Sequence, residues 1–533
     1  MTQGFALSAL DITIIVVSLA IVTTVGLLVS RRQEQTAHGY FLASGRLRWW
    51  IIGTALIATS VSSEQIVGTM GAAYTYGMGI ANWEWWTLPT YTIVMLFFIP
   101  VYLKSKVMTV PDYLTRRFGP LCGDIYSWVM LGAYVVIFMV TILYGGSLAF
   151  SALTGWNFYV VLWITVILVG LYTVKGGLAS VVWTDMVQCL MLVGGGIFLF
   201  FVALSKVPGG WSAMMHADPQ RFHLYHPASD PIAPFPALIF LALGLGPFYQ
   251  GTNQVMVQRI LGARSTWDGI LGTIFAGFIN FFRPMITVFP GFVAYYWVHH
   301  MNAAPLANAD MTFPFVLKTV GPIWGFRGIV LTGFLAAVMS AISALANSTA
   351  TIFALNIYKR SIRPQSTDRE LVTAGRIAAF LALALAACLA PSVERLGGIF
   401  RYFQTGATYL ATPFISVILL GLLWKRANYA GALFGILGGI VIQAVVATGV
   451  AMSGIQVHWL YTGFAAQLMT MTGVVIVSLR SAPPTKEQIE SLVWRPALLN
   501  QYSGGVPRPW YKSLLLWFGV YATIWTYLYW RYW

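Results

Sequence analysis

The chain has 533 residues, of which 58% are hydrophobic and only 9% are charged. This composition excludes a soluble enzyme and a disordered binder, and it is typical of a protein that crosses the membrane many times. The net charge of +15 does not indicate nucleic-acid binding, because the basic residues fall in short clusters between apolar runs, as in cytoplasmic loops. Three cysteines without paired spacing predict neither a disulfide framework nor a zinc site. We therefore expect the lipid bilayer, and no nucleic acid, as a partner.

Apolar runs of about 20 residues, the length that spans a bilayer, predict an all-α polytopic fold with about fourteen transmembrane helices. The runs lie near residues 10–30, 48–70, 80–103, 123–153, 157–174, 184–205, 233–256, 268–298, 328–357, 372–390, 402–424, 428–450, 457–479 and 511–531. The first run lacks a basic leader and a cleavage site, which predicts a retained helix rather than a signal peptide.

The distribution of Lys and Arg along alternate loops predicts the orientation. With the N-terminus outside, 23 of the 31 basic residues fall in inside loops and 7 in outside loops, and Arg283 lies within a span. Basic residues concentrate in cytoplasmic loops, so this asymmetry favours an outside N-terminus, and an even number of helices returns the C-terminus outside. We expect a multi-pass protein of the plasma membrane, the inner membrane of a bacterium.

Two of the apolar runs, 48–70 and 233–256, look interrupted, and the run 80–103 carries an ionisable group. Glu64 and Gln65 follow a hydroxyl-rich stretch, Glu84 lies between tryptophans, and residues 244–251 carry three glycines and a proline. Ionisable groups at membrane depth indicate function, and broken helices in corresponding halves are typical of a central ion and substrate site. The alternative is that these are kinked helices that merely pack closely through small residues.

Eight short segments, in order and nearly end to end, resemble the sodium:solute symporter family, and in particular its bacterial sodium/galactose cotransporter branch. They are GYFLASGR at 39–46, SSEQ at 62–65, WEW at 83–85, VPDYLTRRFG at 110–119, VWTD at 182–185, QR at 258–259, NSTATIF at 347–353 and LWK at 423–425. The resemblance implies a LeuT-type core of two inverted five-helix repeats. It divides the chain into an extra helix and loop (1–47), a first repeat (48–206), an external loop (207–232), a second repeat (233–424) and extra helices (425–533).

The resemblance also implies a sugar site. Glu84, Gln65 and Gln404 match a carboxylate and two amides that hydrogen-bond sugar hydroxyls, and such groups can read donors and acceptors at fixed stereochemistry. Further candidates for sugar contact are Ser60, Thr87, Tyr249 and Asn280. Alternatively, Glu84 pairs with a nearby arginine or backbone donor at a helix end, and the two amides are interhelical contacts.

Four positions depart from the family's pattern. Ser60 and Gly246 replace asparagines, Asn280 stands where a lysine reaches the sugar, and Gln250 replaces a tryptophan. These changes leave a carbohydrate as the expected substrate class but put galactose itself in doubt. Glucose, another hexose or a cyclic polyol such as myo-inositol would also suit the altered pocket.

Aromatic residues are the expected gates. Tyr249 matches a residue that stacks on the sugar and closes the inner side, and Trp83 and Phe400 match apolar residues of the outer gate. A ring suits the C–H face of a sugar and can block exit until it changes rotamer. Without the resemblance, lipid-facing packing would be the favoured reading of each ring.

The coupling ion implied by the resemblance is sodium. Its expected ligands are the carbonyl oxygens of Ala58, Val61 and Ala337 and the hydroxyl of Ser340. Ala341 stands where the family commonly has a second hydroxyl, so one ligand is absent. Asp185 resembles an acidic residue on the sodium exit path, although a carboxylate stabilising a helix start is an equally good reading.

The sequence thus predicts a sodium-coupled sugar symporter working by alternating access, with no cofactor beyond the ion. The alternative is a proton-coupled or facilitative transporter of a sugar or cyclic polyol. An enzyme or an ATP-driven pump is not expected, because no phosphate loop, catalytic triad or metal motif is present. The sequence predicts no oligomeric state. Arg283 either snorkels or pairs with a carboxylate that the sequence does not identify.

Overall fold

The computed structural model describes residues 7–32, 36–230, 233–321, 323–396, 399–503 and 508–533, and it describes no side-chain surroundings for 394–405 or 501–503. Within this part of the chain the protein is helical, and its only β-type pairing is an isolated bridge between Leu47 and Ala263. The expected all-α class is confirmed.

Ten of the described helices are long and apolar enough to cross a membrane, and two bent pairs raise the number to twelve. The ten are Ala9–Arg31, Met78–Ser105, Pro120–Thr154, Phe158–Leu204, Phe235–Thr252, Phe326–Ile362, Asp368–Val393, Gly406–Leu423, Tyr429–Ser453 and Trp459–Arg480. The bent pairs are Trp49–Ser60 with Gln65–Tyr76 and Thr266–Asn280 with Arg283–His300. Leu514–Arg531 is the last long helix. Shorter helices include Ala37–Leu42, Val110–Arg117, Gly210–Ala217, Gln254–Leu261, Thr312–Val320 and Lys486–Glu490.

Every predicted apolar run falls on one of these helices. Phe158–Leu204 accounts for two of the runs, because its backbone breaks at Gly177 with φ 52° and ψ −157°. A Cβ at this position would lie 2.4 Å from the carbonyl oxygen of Tyr40, so both conformation and space require glycine there. The fourteen predicted runs and the smaller helix count therefore describe the same chain path.

The first predicted break is confirmed. The helix Trp49–Ser60 ends where Val61 takes an extended backbone, and the following helix, Gln65–Tyr76, is bent from it by 68°. We call these two helices the first broken pair. The serines and threonine before Glu64 favour such a break, because their hydroxyl groups compete with the helix for hydrogen bonds to the backbone.

The second predicted break lies elsewhere than expected. Residues 244–251 do not bend sharply; π-helical turns run through Leu241–Leu245 and Phe248–Thr252. The interruption comes at Asn253, whose backbone is extended and whose side chain caps the next helix by accepting from the Val255 amide at 3.1 Å. The prediction placed the break at the glycines of 244–251. Instead, these glycines lie in or next to π-helical turns, and the helix ends at the capping residue Asn253.

A bend that the sequence analysis did not predict separates Thr266–Asn280 from Arg283–His300, with an angle of 44°. Pro284 follows directly after the bend and lacks the amide that a continuous helix would use. This bend sets the position of Arg283, which begins the second helix of the pair.

The helix Phe326–Ile362 forms the centre of the bundle, and 94% of its most apolar 18-residue stretch is buried. It packs along Phe158–Leu204, and small residues allow the close approach: a Cβ at Gly333 would lie 2.8 Å from the Met191 carbonyl oxygen. Small residues thus let these two helices pack closely.

The helix Leu514–Arg531 covers the segment that carries Glu84. Trp525 Nε1 donates to the carbonyl oxygen of Trp85 at 2.7 Å, and the Tyr529 hydroxyl donates to Asn82 Oδ1 at 2.8 Å. These bonds tie the last helix to the short helix Asn82–Trp85 and hold it in place.

Candidate functional site

A buried ion pair joins Glu84 to Arg283, with 2.7 Å between Glu84 Oε2 and Arg283 Nη2. The side chains are 2% and 6% exposed. Glu84 reaches this position from the short helix Asn82–Trp85, and Arg283 reaches it because the bend before Pro284 ends the preceding helix. Arg283, which sequence analysis left without a partner, is the cation that balances Glu84.

The guanidinium of Arg283 also gathers the neighbouring polar groups. It donates to Gln65 Oε1 at 2.5 Å, to Asn280 Oδ1 at 3.1 Å and, at a longer 3.4 Å, to the Ser60 carbonyl oxygen. A planar guanidinium with five donors can hold several acceptors in fixed directions. Three predicted sugar contacts thus converge on one arginine.

Thr287 and Tyr91 complete this network. The Thr287 hydroxyl donates to Glu84 Oε1 at 3.2 Å, and Asn280 Nδ2 donates to the Tyr91 hydroxyl at 3.2 Å. Both residues were missed by sequence analysis. Thr287 could have been found from its place one turn after Arg283, whereas Tyr91 lies in an aromatic-rich helix and gives no distinguishing signal.

Two predicted contacts have other partners. The Thr87 hydroxyl lies 2.9 Å from the Tyr521 hydroxyl, on the side of the last helix, and the Ser60 hydroxyl donates to the Ile57 carbonyl oxygen at 3.0 Å. Only the backbone of Ser60 therefore joins the network around Arg283.

Gly246 explains one departure from the family's pattern. A Cβ at this position would lie 2.4 Å from both Thr90 Oγ1 and the Leu241 carbonyl oxygen. An asparagine would not fit here unless both the turn at Leu241, in the same helix, and the Thr90 side chain, on the helix Met78–Ser105, shifted. Close packing therefore excludes a larger side chain at this position.

Two of the predicted gate residues have described side chains. Tyr249 is half-buried in Phe235–Thr252 and interacts electrostatically with Arg283 and Glu64. Trp83 stacks on Trp459 at 5.7 Å between ring centroids. The side chains of Phe400 and Gln404 lie outside the described residues.

The break in the first broken pair affects the expected cation ligands. Hydrogen bonds use the carbonyl oxygens of Ile57, Ser60 and Ser62, whereas none among the described residues ends on the carbonyl oxygen of Ala58 or Val61. A helix end leaves carbonyl groups unpaired unless another group takes them. These two oxygens have the character that a sodium ion needs.

Asp185 joins the same region to a second arginine. Its carboxylate accepts from Ser340 Oγ at 2.6 Å and from Arg259 Nη2 at 2.8 Å, and all three side chains are buried. Asp185 stands within Phe158–Leu204, after the Gly177 break, and not at a helix start, so the reading as a helix-start carboxylate is wrong. Arg259 was missed, although a charged residue next to a broken segment is a usable signal.

The central helix brings Ala337, Ser340 and Ala341 into the buried core, at 1%, 0% and 3% exposure. The Ser343 hydroxyl donates to the Ser340 carbonyl oxygen at 2.9 Å and points along its own helix. Ala341 supplies no oxygen from its side chain, so the predicted lack of one ligand persists in the structure.

Comparison with known proteins agrees with this geometry. The sequence profile described as "Sodium:solute symporter family" matches residues 40–439. The chain belongs to this family. A member of this family is a multi-pass membrane transporter and not an enzyme, and its fold is of the LeuT type expected from the resemblance.

Two curated relatives and one solved structure are similar to this transporter. The sodium/glucose cotransporter of Vibrio parahaemolyticus is 34% identical over 81% of this chain and 84% of its own length. The sodium/myo-inositol cotransporter of Mus musculus is 29% identical over 91% of this chain and 75% of its own length. A Na⁺-coupled sialic acid symporter, in a substrate-bound outward-open state, matches with a TM-score of 0.81 at 23% identity, covering 90% and 99% of the two chains.

Proposed function

We propose that this transporter is a sodium-coupled sugar symporter that imports a hexose such as glucose or galactose by alternating access. The observation that carries the proposal is the convergence of Glu84, Gln65 and Asn280 on Arg283 beside the first broken pair. The sodium/glucose cotransporter of Vibrio parahaemolyticus supports the same class of cargo and ion.

The charges of the network favour a neutral, hydroxyl-rich substrate. The negative charge of Glu84 is balanced by Arg283 at 2.7 Å, so the site has no net charge to attract an acid. Carboxylate, amide and guanidinium groups together offer several acceptors and donors to sugar hydroxyls. We propose that Gln404 and Tyr249 add an amide and a stacking face, as the sequence resemblance implies.

We propose that sodium binds between the first broken pair and the central helix, at the oxygens of Ala58, Val61, Ala337 and Ser340. The unpaired carbonyl groups of Ala58 and Val61 support this site. The network of Asp185 with Arg259 lies directly beside Ser340 and supports a role for Asp185 along the sodium exit path.

Two further parts of the proposal follow from sequence patterns. We propose an inner-membrane location with both termini outside, and inverted repeats at 48–206 and 233–424. Contacts between predicted same-side segments support the orientation: the Leu224 amide donates to the Tyr532 carbonyl oxygen at 2.6 Å, and Trp267 Nε1 donates to that of Lys512 at 3.2 Å.

A second candidate is a proton-coupled or facilitative transporter of a sugar or of myo-inositol. Ala341, which lacks a hydroxyl on the cation side, favours weaker sodium dependence. The 29% identical sodium/myo-inositol cotransporter of Mus musculus supports cyclic polyols as a substrate class to be tested.

Uptake by proteoliposomes tests both candidates. Purified protein would be offered glucose, galactose, mannose, myo-inositol and glucuronate under a sodium gradient alone, a proton gradient alone, or neither. We expect saturable, sodium-driven uptake of a neutral hexose and no uptake of glucuronate. Uptake that is equal with and without sodium would contradict the proposal and favour the second candidate.

A further inference from the structure

Three carboxylates lie deep in the bundle close to the broken helices, and they differ in their partners. Glu84 is paired with Arg283, and Asp185 is paired with Arg259. Glu64 is only 5% exposed, yet no arginine, lysine or histidine among the described residues forms an ion pair with it. Its unbalanced position requires a separate explanation, because an isolated buried charge is costly.

The two oxygens of Glu64 have different surroundings. Oε1 accepts a hydrogen bond from the Ser62 hydroxyl. Oε2 is buried and has no hydrogen-bond partner among the described residues. Glu64 Oε2 is therefore free to bind a ligand that the protein itself does not supply.

Glu64 lies between the proposed ion and sugar contacts. It follows Val61, whose carbonyl oxygen is an expected sodium ligand, by three positions, and directly precedes Gln65. It stands at the bend of 68° in the first broken pair, and it interacts electrostatically with the gate residue Tyr249. A change of charge at Glu64 would thus be felt at a hinge and at a gate.

Charged and titratable groups on the elements packed around the first broken pair do not neutralise Glu64. The buried charged side chains are committed elsewhere, since Arg283 binds Glu84, Arg259 binds Asp185, and Asp268 binds Arg264. The other titratable or charged groups on these elements are Tyr74, Tyr76, Tyr159, Tyr172, Lys175, Cys189, Tyr295, Tyr296, His299, His300, Asp310, Lys318 and Arg327, and Tyr249 lies on the helix Phe235–Thr252. Lys175, Asp310 and Lys318 are exposed.

Two ligands could neutralise such a carboxylate, a metal cation or a proton. A sodium ion needs several oxygens around it, and the free carbonyl oxygens nearby, those of Ala58 and Val61, are already assigned to the proposed sodium site. A proton needs only the lone oxygen itself. The geometry points to a proton site at Glu64 Oε2, and we propose that this proton is a second coupling ion, bound from the outer solution and released inside. This inference rests on the proposed symport.

The coupling step is balanced as a simple acid dissociation. A proton from the outer solution bonds to Glu64 Oε2 while the first broken pair is open to that side, and closure buries the neutral acid. Opening to the inside admits water, the O–H bond breaks, and the proton leaves with the sugar. Net proton import requires the empty transporter to return with Glu64 ionised. Because an ionised carboxylate is costly to bury, we expect this return step to be slower than the loaded step.

Lumen acidification in proteoliposomes tests the proposal. Vesicles containing a pH-sensitive dye would be given glucose, with sodium equal on both sides, an inward proton gradient and the membrane potential clamped at zero. We expect glucose to accelerate acidification in the wild type and not in Glu64→Gln, which is neutral at every pH. The exposed carboxylate variant Glu487→Gln is the matched control and should behave as the wild type.

The outcomes separate this proposal from the proposed function. Sodium-driven uptake by the wild type without glucose-dependent acidification would overturn the proton site and leave the symporter intact. No uptake under either gradient would refute the symporter itself. Acidification in Glu64→Gln equal to the wild type would also overturn the assignment to Glu64.

A measurement on the wild type keeps the test decisive if Glu64→Gln does not fold. Infrared difference spectra between low and high pH should show the carbonyl stretch of a protonated carboxylic acid, shifted in D₂O. The band should be absent from Glu64→Asp spectra at the wild-type position, because the shorter side chain changes its surroundings. A wild-type spectrum without such a band would overturn the proposal.

Discussion

The two buried carboxylate–arginine pairs have similar geometry but different surroundings. In the first, Glu84 and Arg283 are surrounded by Gln65, Asn280 and Thr287, all of which can bind hydroxyl groups. In the second, Asp185 and Arg259 are 0% and 1% exposed and bind Ser340, on the central helix.

This difference indicates separate roles. An ion pair surrounded by amides and hydroxyls can give up hydrogen bonds within the protein and form hydrogen bonds to a ligand, because the ligand replaces each bond that is lost. A pair that is enclosed by helices fixes the elements that carry it, because neither charge can be left unpaired there without a large cost. We therefore propose that the pair of Glu84 with Arg283 recognises the substrate, and that the pair of Asp185 with Arg259 supports the cation region beside the proposed sodium exit path.

The largest expected effect is on the enclosed pair. Arg259→Gln leaves Asp185 as an uncompensated buried charge, which we expect to lower the free energy of unfolding by about 3 to 5 kcal/mol. Arg283→Gln should lower it less, because the Glu84–Arg283 pair is slightly more exposed than the Asp185–Arg259 pair, at 2% and 6% against 0% and 1%. Thermal unfolding in detergent would measure both.

A double variant is the control for this contrast. In Asp185→Asn/Arg259→Gln neither charge remains, so most of the lost stability should return. Equal melting temperatures for Arg259→Gln and the wild type would show that the enclosed pair does not stabilise the bundle.

The next effect concerns sugar recognition. We expect Glu84→Gln and Gln65→Ala each to reduce the ratio of maximal rate to KM for sugar uptake by at least about 100-fold, because a site built around hydrogen bonds rejects a ligand when one partner is lost. Gln443→Ala removes a buried amide that binds Thr412 instead, and should transport normally. Wild-type affinity in both site variants would remove them from the sugar site.

A smaller effect is expected on the cation side. Ser340→Ala should raise the sodium concentration for half-maximal uptake by about tenfold, equivalent to about 1.4 kcal/mol, and Ala341→Ser should lower it by adding an oxygen. Linkage requires sodium to raise sugar affinity by the same factor as sugar raises sodium affinity in each protein. Sodium titrations of sugar binding in all three proteins would check this, and a wild type without sodium dependence would refute the coupling.

The smallest expected effect is that of Tyr249 variants on coupled uptake. Tyr249→Phe keeps the ring and should retain most coupled uptake, whereas Tyr249→Ala should reduce it by about fivefold, since aromatic contacts contribute about 0.5 to 1.5 kcal/mol. Uptake assays with sugar leak measured in parallel would distinguish stacking from closure. Identical, unimpaired transport by both variants would contradict the gate assignment.

The sequence alone determined the class of the protein, the path of its helices and the first broken pair. Long apolar runs can satisfy their backbone groups in a bilayer only as helices, so composition and run length are sufficient evidence. The hydroxyl-rich residues before Glu64 signalled a break for a local reason, and the structure places it there. The resemblance of short segments added the family and the expected repeats.

Only the tertiary structure decided which polar groups meet. Gln65 and Arg283 are 218 residues apart, and Asp185 and Arg259 are 74 apart, so no local pattern predicts their contacts. The second break moved to Asn253 because a capping side chain, and not glycine content, ended that segment. Ion pairing depends on where helices cross and bend, and those positions follow from the packing of the whole bundle.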